Sequence, residues 1–301
     1  MKKTISILGS TGSIGLTTFK IIDKKKNFFK INILAANKNF SLISHQIRKY
    51  KPKVFVISNE KIFKKIKKKF RRNKTKILNT LKDINLQKSD CTISAIPGID
   101  GLTPTLKMIK KSKKILIANK ESIICGWNLI KRNASKFKTK IIPVDSEHFS
   151  IYQLLKNHDL REIKKIYITA SGGPFLNYKV NQFKKITPKI AIKHPRWKMG
   201  KKISVDSSTL MNKILELIEA QKIFNIPLKK LDILIHPESL VHAIVELNNG
   251  LTKFIYHETS MIIPIANAIF DKNFHLNEIL KIKKKNKNYI PIKDLTFKNV
   301  N

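Results

Sequence analysis

Residues Thr4–Leu8 form a short alternating run that passes directly into Gly9-Ser10-Thr11-Gly12-Ser13-Ile14-Gly15, and a helical pattern follows to about Asp23. That succession reads as strand, tight turn and helix. Glycines let the backbone approach a pyrophosphate, and the helix start offers unpaired N–H groups and the positive end of its dipole. The spacing is G-x-x-G-x-x-G rather than G-x-G-x-x-G, and no Gly-Lys-Ser/Thr follows, so the turn is not a P-loop. A glycine-rich turn alone means little, but its context means more. A second strand at Ile31–Ala36 completes a βαβ unit, and further strands are expected at Val54–Ile57, Cys91–Ala95, Ile115–Ala118 and Ile141–Val144. Helical segments lie between them. The fold class is α/β, with an N-terminal Rossmann-like parallel sheet.

The end of the second strand selects the cofactor. An NAD-binding chain places Asp or Glu there to hold the ribose 2′-hydroxyl. This chain has Asn37-Lys38-Asn39. A carboxylate would repel a 2′-phosphate, whereas a lysine between two amides attracts it, so the reading is NADPH.

The formal net charge of +41 invites a nucleic-acid reading. The make-up of that charge argues against it. Of 61 basic residues 55 are lysine and 6 arginine, and isoleucine outnumbers valine 49 to 8. Both biases follow A/T-rich codons, while base and phosphate recognition favours arginine. The lysines run from end to end without interleaved aromatics, and Lys64–Lys69 and Lys281–Lys287 read as solvated faces. No apolar run reaches about 18 residues, so no membrane span is expected. The apolar start breaks at once into the glycine turn, unlike a secretory leader. Two cysteines, Cys91 and Cys125, make neither a disulfide framework nor a zinc site, which fits a reducing cytoplasm.

The second half carries the carboxylates. Asp145 and Glu147 flank Ser146 just after a strand, so an extended segment would aim both to one side as oxygen ligands for Mg²⁺ or Mn²⁺. A helix N-cap with a first-turn glutamate fits the same letters. Ser207–Phe224 reads as one helix, with Leu210, Ile214, Leu217 and Ile218 as its apolar stripe. Asn212, Glu216 and Glu219 fall on another face with Lys213 beside them, a set able to hold a phosphate and a metal, although an ordinary amphipathic helix looks alike. Ser171-Gly172-Gly173-Pro174 after the strand Ile166–Ala170 makes an anion nest or a plain turn. Residues Lys193–Gly200, with His194 and Trp197, read as a lid loop, and Val241–Leu247 and Leu251–His257 as a hairpin.

These pieces occur together in one family. The strings GSTGSIG, ANKES, PVDSEH, SGGPF, HPRWKMGKKISVDSSTLMNK and LIHPESLVH, spread over about residues 1–270, resemble the 1-deoxy-D-xylulose 5-phosphate reductoisomerases. The resemblance implies rearrangement of that sugar phosphate to an aldehyde and its reduction by NADPH to 2-C-methyl-D-erythritol 4-phosphate, in the non-mevalonate isoprenoid pathway. It implies that Thr11, Gly12, Ser13 and Ile14 hold the pyrophosphate, that Asn37, Lys38 and Asn39 meet the adenosine phosphate, and that Asn119, Glu121 and Gly200 contact the cofactor. Asp145, Glu147 and Glu216 would ligate Mg²⁺, Mn²⁺ or Co²⁺. Ser146, Glu147, Ser171, His194, Ser207, Asn212, Lys213 and Glu216 would hold the substrate, with Lys120 and Glu147 as its catalytic pair. A homodimer is implied as well.

The implied organisation is an NADPH-binding domain over 1–144, an α+β catalytic domain over 145–270 and a lysine-rich tail over 271–301. The resemblance implies a further C-terminal helical domain in family members, which is expected to be missing from this chain, making it a fragment, a shortened form or a decaying enzyme; the alternative reading of its function is a truncated, weakly active or inactive remnant. Three local departures stand out. Asn37 and Ile214 replace glycines, so Ile214 is expected to crowd its helix turn, and Ser260–Pro264 lacks the usual charges. A semialdehyde or homoserine dehydrogenase shares the general layout but leaves the carboxylates unexplained, and Cys125 sits in a helix rather than at a nucleophile's position.

Exchanging Lys38 for aspartate puts a negative charge where a 2′-phosphate would lie. The ratio of kcat/KM for NADPH over that for NADH should fall about tenfold or more, on the scale of ~1–2 kcal/mol for charges a few ångström apart in water. An unchanged ratio would remove Lys38 from the adenosine end.

Overall fold

The computed structural model describes residues 2–82, 87–192, 200–271, 274–280 and 297–299. It comprises two compact units, one running through Val144 with Ile265–Leu280, the other holding Asp145–Pro264 and a short strand near the chain end.

The first unit alternates strand and helix: β1 (Lys3–Leu8), α1 (Ser13–Lys24), β2 (Phe29–Ala36), α2 (Phe40–Tyr50), β3 (Val54–Ile57), α3 (Glu60–Lys69), β4 (Lys76–Leu78), β5 (Ser89–Ser94), α4 (Leu102–Ile109), β6 (Ser112–Ile117), α5 (Lys120–Phe137) and β7 (Lys140–Pro143). The seven strands are parallel, in the order β4-β3-β2-β1-β5-β6-β7. A parallel sheet covered on both faces needs unbroken apolar strands rather than alternation. Ile5, Ile7, Leu8, Ile33, Leu34, Phe55, Ile93, Ile115 and Leu116 accordingly have almost no exposure. The expected strands are all present. β4 adds one that the sequence hides, because three residues in a lysine- and arginine-rich stretch carry no visible pattern. The run Lys64–Lys69 is solvated apart from the buried Ile66.

Strand order reverses between β1 and β5, and the glycine turn opens there, at the sheet's carboxyl edge. Gly9 has φ +82°, and a Cβ there would lie 2.4 Å from the Ala95 carbonyl oxygen. At Gly15 a Cβ would lie 2.5 Å from the Gly9 oxygen, so α1 can follow the turn this closely only without a side chain. The Gly9 and Ser10 amides both donate to the Ala35 carbonyl. From α2, Gln46 accepts from Ser10 Oγ and donates to the Ser10 carbonyl, at 2.8 and 2.9 Å, fixing the turn from behind.

The second unit begins with α6 (Ser146–Leu154) and β8 (Ile163–Ala170). It continues through α7 (Pro188–Ala191), α8 (Lys201–Ser208), α9 (Met211–Phe224), β9 (Leu231–Ile235), β10 (Val241–Leu247) and β11 (Thr252–Tyr256), with β12 (Lys298–Asn299) completing its sheet. The order is β11-β10-β8-β9-β12: β8 and β9 are parallel, and every other pairing is antiparallel. Ile151, Ile163, Ile166, Ile168, Ala220, Leu231 and Val245 make its core. The single helix expected over Ser207–Phe224 is two. Leu210 sits in the left-handed region at φ +58° and ends α8 before α9 begins.

Helix α10 (Ile262–Phe270) lies across the 270 boundary read from sequence, and its residues from Ile265 group with the first unit. Its last turn has no basic residue of its own. Lys114 of β6 reaches the Ala268 and Ile269 carbonyls and Asp271, Lys3 of β1 reaches the Ile269 carbonyl, and Phe270 packs on Phe29. Those contacts cap the helix and hold Ile265–Leu280 to this unit.

Gly9→Ala should cost about 2–4 kcal/mol in urea unfolding, since both sterics and φ oppose it. Gly250→Ala is the comparison: φ is +85° but nothing lies within 4 Å of the added carbon, so only the backbone cost of about 1 kcal/mol applies. Equal losses would show that the approach to Ala95 is unimportant.

Candidate active site

In the first unit the free N–H groups at the start of α1 follow Gly12, whose neighbours Thr11, Ser13 and Ile14 are exposed or half-buried. Asn37, Lys38 and Asn39 lie exposed just after β2, and Asn39 also caps α2 by accepting from the Leu42 amide at 3.0 Å. Asn37 keeps a negative φ, so its replacement of glycine demands no unusual backbone. Asn119 is buried and caps α5. Its Oδ1 accepts from the Ser122 amide, while its Nδ2 donates to the Ile96 and Gly98 carbonyls, tying the loop after β5 to α5. Lys120 and Glu121 follow, half-buried. Cys125 is exposed on α5, and Cys91 is buried, its thiol pushed up to about 12 chiefly by burial.

In the second unit α9 turns its polar face inward. Glu216 is 1% exposed, and Asn212, Lys213 and Glu219 are buried with it, whereas Met211 and Ile214 are 48% and 47% exposed. The apolar stripe read from sequence is therefore not the buried face as a whole. Ile214 stands in the open and crowds nothing. A helix that buries its charges and exposes its isoleucine has been shaped by something other than packing.

The buried face meets α6. Asp145 is the N-cap of α6 and accepts from the Ser146 amide at 3.0 Å, so Asp145 and Glu147 belong to a helix start and not to an extended strand. The helix-cap reading of Asp145-Ser146-Glu147 is the one observed, and oxygens of Asp145, Glu147 and Glu216 lie within 4.8 Å of one another. Lys213 Nζ donates to Glu147 Oε1 and, at 2.7 Å, to Glu216 Oε2. Ser146 Oγ donates to Glu147 Oε2 at 2.6 Å, and Asn212 Nδ2 donates to Glu216 Oε1. Burial would raise the Glu147 carboxyl, but the adjacent Lys213 charge and these hydrogen bonds outweigh it and hold the group below the usual carboxylate range. Lys213 is held above the ordinary lysine value: burial opposes its charge, and the two glutamates more than compensate. Three hard oxygen donors in one cluster suit Mg²⁺ or Mn²⁺. The buried Asn212 Oδ1, without a hydrogen-bond partner among the described residues, adds an acceptor at its edge.

Two serines expected at a phosphate also come together. Gly172 and Gly173 have φ +83° and +70°, forming a nest in which the Gly173 amide donates to Ser171 Oγ. A Cβ on Gly173 would lie 2.7 Å from the Ser207 carbonyl oxygen, so the nest packs directly on the end of α8. Leu210, strained between α8 and α9, starts α9 so that Asn212 and Lys213 fall in its first turn. Gly200, exposed, is the N-cap of α8. His194 and Trp197 lie outside the described residues.

Two histidines escape the sequence reading. His148 Nε2 meets the Glu216 carbonyl at 2.9 Å, and its ring is fully buried. His242 stacks on His257 with ring centroids 3.7 Å apart, and feels the charges of Glu147 and Lys213. Both stand inside the strings PVDSEH and LIHPESLVH, but a lone histidine among apolar residues looks like packing.

Family models described as 1-deoxy-D-xylulose 5-phosphate reductoisomerase and as that enzyme's C-terminal domain match residues 5–126 and 141–224. The chain is 48% identical to the reductoisomerase of Pelagibacter ubique, over 99% of this chain and 77% of that protein. A solved reductoisomerase of Zymomonas mobilis in complex with NADPH is similar at 34% identity and TM-score 0.83, covering 91% of this chain and 72% of that one. A reductoisomerase structure with NADPH, fosmidomycin and magnesium is similar at 31% identity and TM-score 0.85, covering 99% and 76%. A homoserine dehydrogenase of Thermoplasma acidophilum, at 12% identity and TM-score 0.51, shares the fold alone.

Burial pushes His242 down to about 4 from 6.5, with His257 adding to the effect. Between those values the unfolded chain binds the proton and the folded chain does not, so stability falls as pH drops through that window. For the metal-free protein the slope should approach ~1 kcal/mol per pH unit from this group. His242→Asn should flatten the curve between pH 6.5 and 4; an unchanged curve would assign the effect elsewhere.

Proposed function

The chain belongs to the 1-deoxy-D-xylulose 5-phosphate reductoisomerase family, and on that premise we propose how its own residues divide the work. It is an NADPH- and divalent-metal-dependent oxidoreductase that rearranges and reduces 1-deoxy-D-xylulose 5-phosphate to 2-C-methyl-D-erythritol 4-phosphate, a step toward isoprenoid precursors. Bound NADPH supplies the hydride, and a bound divalent cation polarises the reacting carbonyl and stabilises developing negative charge on oxygen.

Residues 1–144 are the NADPH-binding domain. Thr11, Gly12, Ser13 and Ile14 cradle the pyrophosphate at the start of α1, Asn37, Lys38 and Asn39 take the 2′-phosphate, and Asn119, Glu121 and Gly200 border the cofactor. Residues 145–270 are the catalytic domain, followed by the tail 271–301. Asp145, Glu147 and Glu216 hold the cation. Ser171, His194, Ser207, Asn212 and Lys213 hold the substrate phosphate, away from the reacting carbons, and so fix its orientation. Ser146 and Glu147 orient its hydroxyls. Lys120 adds positive charge where an oxyanion develops, and the Glu147 carboxylate accepts from the adjacent hydroxyl. The inward polar face of α9 carries this reading, since it places Glu216, Lys213 and Asn212 against Glu147 in a buried site.

β11 is one of the two edge strands of its sheet, and Leu251 and Phe254 are exposed on that hairpin. Such an edge supports pairing with a second copy into a homodimer; a monomer in sedimentation at micromolar concentration would refute this. No described helix is long and apolar enough to cross a membrane, and the two unpaired thiols support a cytoplasmic location, which cell fractionation reads.

Chelation should abolish turnover, and Mn²⁺ or Mg²⁺ should restore it. Glu216→Gln should lower kcat by about 10²-fold or more while leaving NADPH affinity within about threefold, because the cation acts on the reacting oxygens. Unaltered kcat in this variant would take Glu216 out of the cation site.

A further inference from the structure

Gln46 stands where packing alone would place a leucine. It lies on the buried face of α2 with Ile43 and Ile47, and is itself 1% exposed. A buried amide is costly unless its polar atoms find partners, whereas an apolar side chain of similar size makes no such demand. Both polar atoms of Gln46 go to one residue. Its Oε1 accepts from the Ser10 hydroxyl at 2.8 Å, and its Nε2 donates to the Ser10 carbonyl at 2.9 Å.

Ser10 is the residue against which α1 begins. It is fully buried, and its amide donates to the Ala35 carbonyl at 2.9 Å. With the two bonds from Gln46, its amide, hydroxyl and carbonyl are all engaged. Gly15 of α1 comes so close that a Cβ on it would lie 2.7 Å from Ser10 Cα. A shift of Ser10 therefore shifts the start of α1, where the N–H groups are free. The opposite end of α2 lies at the adenosine end. Asn39 caps it by accepting from the Leu42 amide, and follows directly on Asn37 and Lys38. About two turns of one helix thus join Asn39 to the residue that holds the glycine turn.

We propose that Gln46 is a positioning residue for NADPH: through Ser10 it holds the glycine turn at a set distance from Asn37, Lys38 and Asn39, so that the pyrophosphate and the 2′-phosphate of one cofactor meet their sites together. A ligand with two anchoring groups gains from the second only if the two sites stand at its own spacing. Without the Gln46 anchor the turn occupies its binding position for only a fraction of the time, and the apparent Kd rises by the inverse of that fraction. The inference rests on the reading of Thr11, Gly12, Ser13 and Ile14 as the pyrophosphate cradle.

The test is calorimetric titration of the full chain with NADPH and with adenosine 2′-monophosphate, which carries the 2′-phosphate but no pyrophosphate. Gln46→Leu should weaken NADPH about tenfold, as for a turn correctly placed about a tenth of the time, and leave adenosine 2′-monophosphate within about twofold of the parent. The kcat at saturating NADPH should stay within about threefold, so the loss falls on KM. Ser10→Ala, which removes one of the two hydrogen bonds, should weaken NADPH about threefold with the same indifference to the smaller ligand. It serves as the reporter if Gln46→Leu does not fold. NADPH affinity within about twofold of the parent in Gln46→Leu would overturn the proposal. So would an equal loss for both ligands, since Gln46 would then support the whole unit rather than the turn. Gly12→Asp, which sets a negative charge at the start of α1, separates the premise from the inference. If it left NADPH affinity unchanged, the turn would not be the pyrophosphate site, and the inference would fall with that reading.

Discussion

Carboxylates buried within 4.8 Å of one another repel unless positive charge is placed among them, and the second unit is arranged around meeting that demand. Lys213 answers it from the protein side, bridging Glu147 and Glu216 from the first turn of α9. The same oxygens are the ligands a divalent cation would take, and its charge would add to that of the Lys213 ammonium. The local structure serves this end: the strained Leu210 starts α9 at the right residue, Ser146 and Asn212 occupy further carboxylate oxygens, and His148 ties the Glu216 backbone to α6.

The first unit solves a different electrostatic problem with backbone rather than side chains. A pyrophosphate can be held by N–H groups at a helix start if nothing stands in the way. Gly9 and Gly15 remove the obstruction, and Gln46 of α2 prevents the opened turn from wandering. The basic surface reflects composition, and the chemistry uses a few charges at defined places.

The parallel sheet was legible because its strands are buried on both faces, so Val54–Ile57 and Ile31–Ala36 announce themselves as unbroken apolar runs. β4 was not, being three residues in a basic stretch. The carboxylate set was legible as residue types, and the spacing of Asn212, Glu216 and Glu219 correctly put them on one face. That this face points inward was not, because periodicity identifies a helix's two faces and assumes that the apolar one is buried. Exposed Ile214 and buried Lys213 break that assumption at the site itself, where function overrides packing. The break at Leu210 was invisible for a related reason: nothing in a leucine signals a positive φ. His148 and His242 were hidden by apolar neighbours, and only their tertiary partners give them meaning.

The central claim is that Lys213 and a divalent ion answer the same buried charge. The most direct measurement is a crystal structure of the chain with Mn²⁺, phased on the metal's anomalous signal. The account predicts a peak about 2.1 Å from oxygens of Asp145, Glu147 and Glu216. It also predicts that the Lys213 ammonium withdraws from at least one of its two glutamates. No Mn²⁺ peak there, with Lys213 still bridging Glu147 and Glu216 in saturating Mn²⁺, would contradict it.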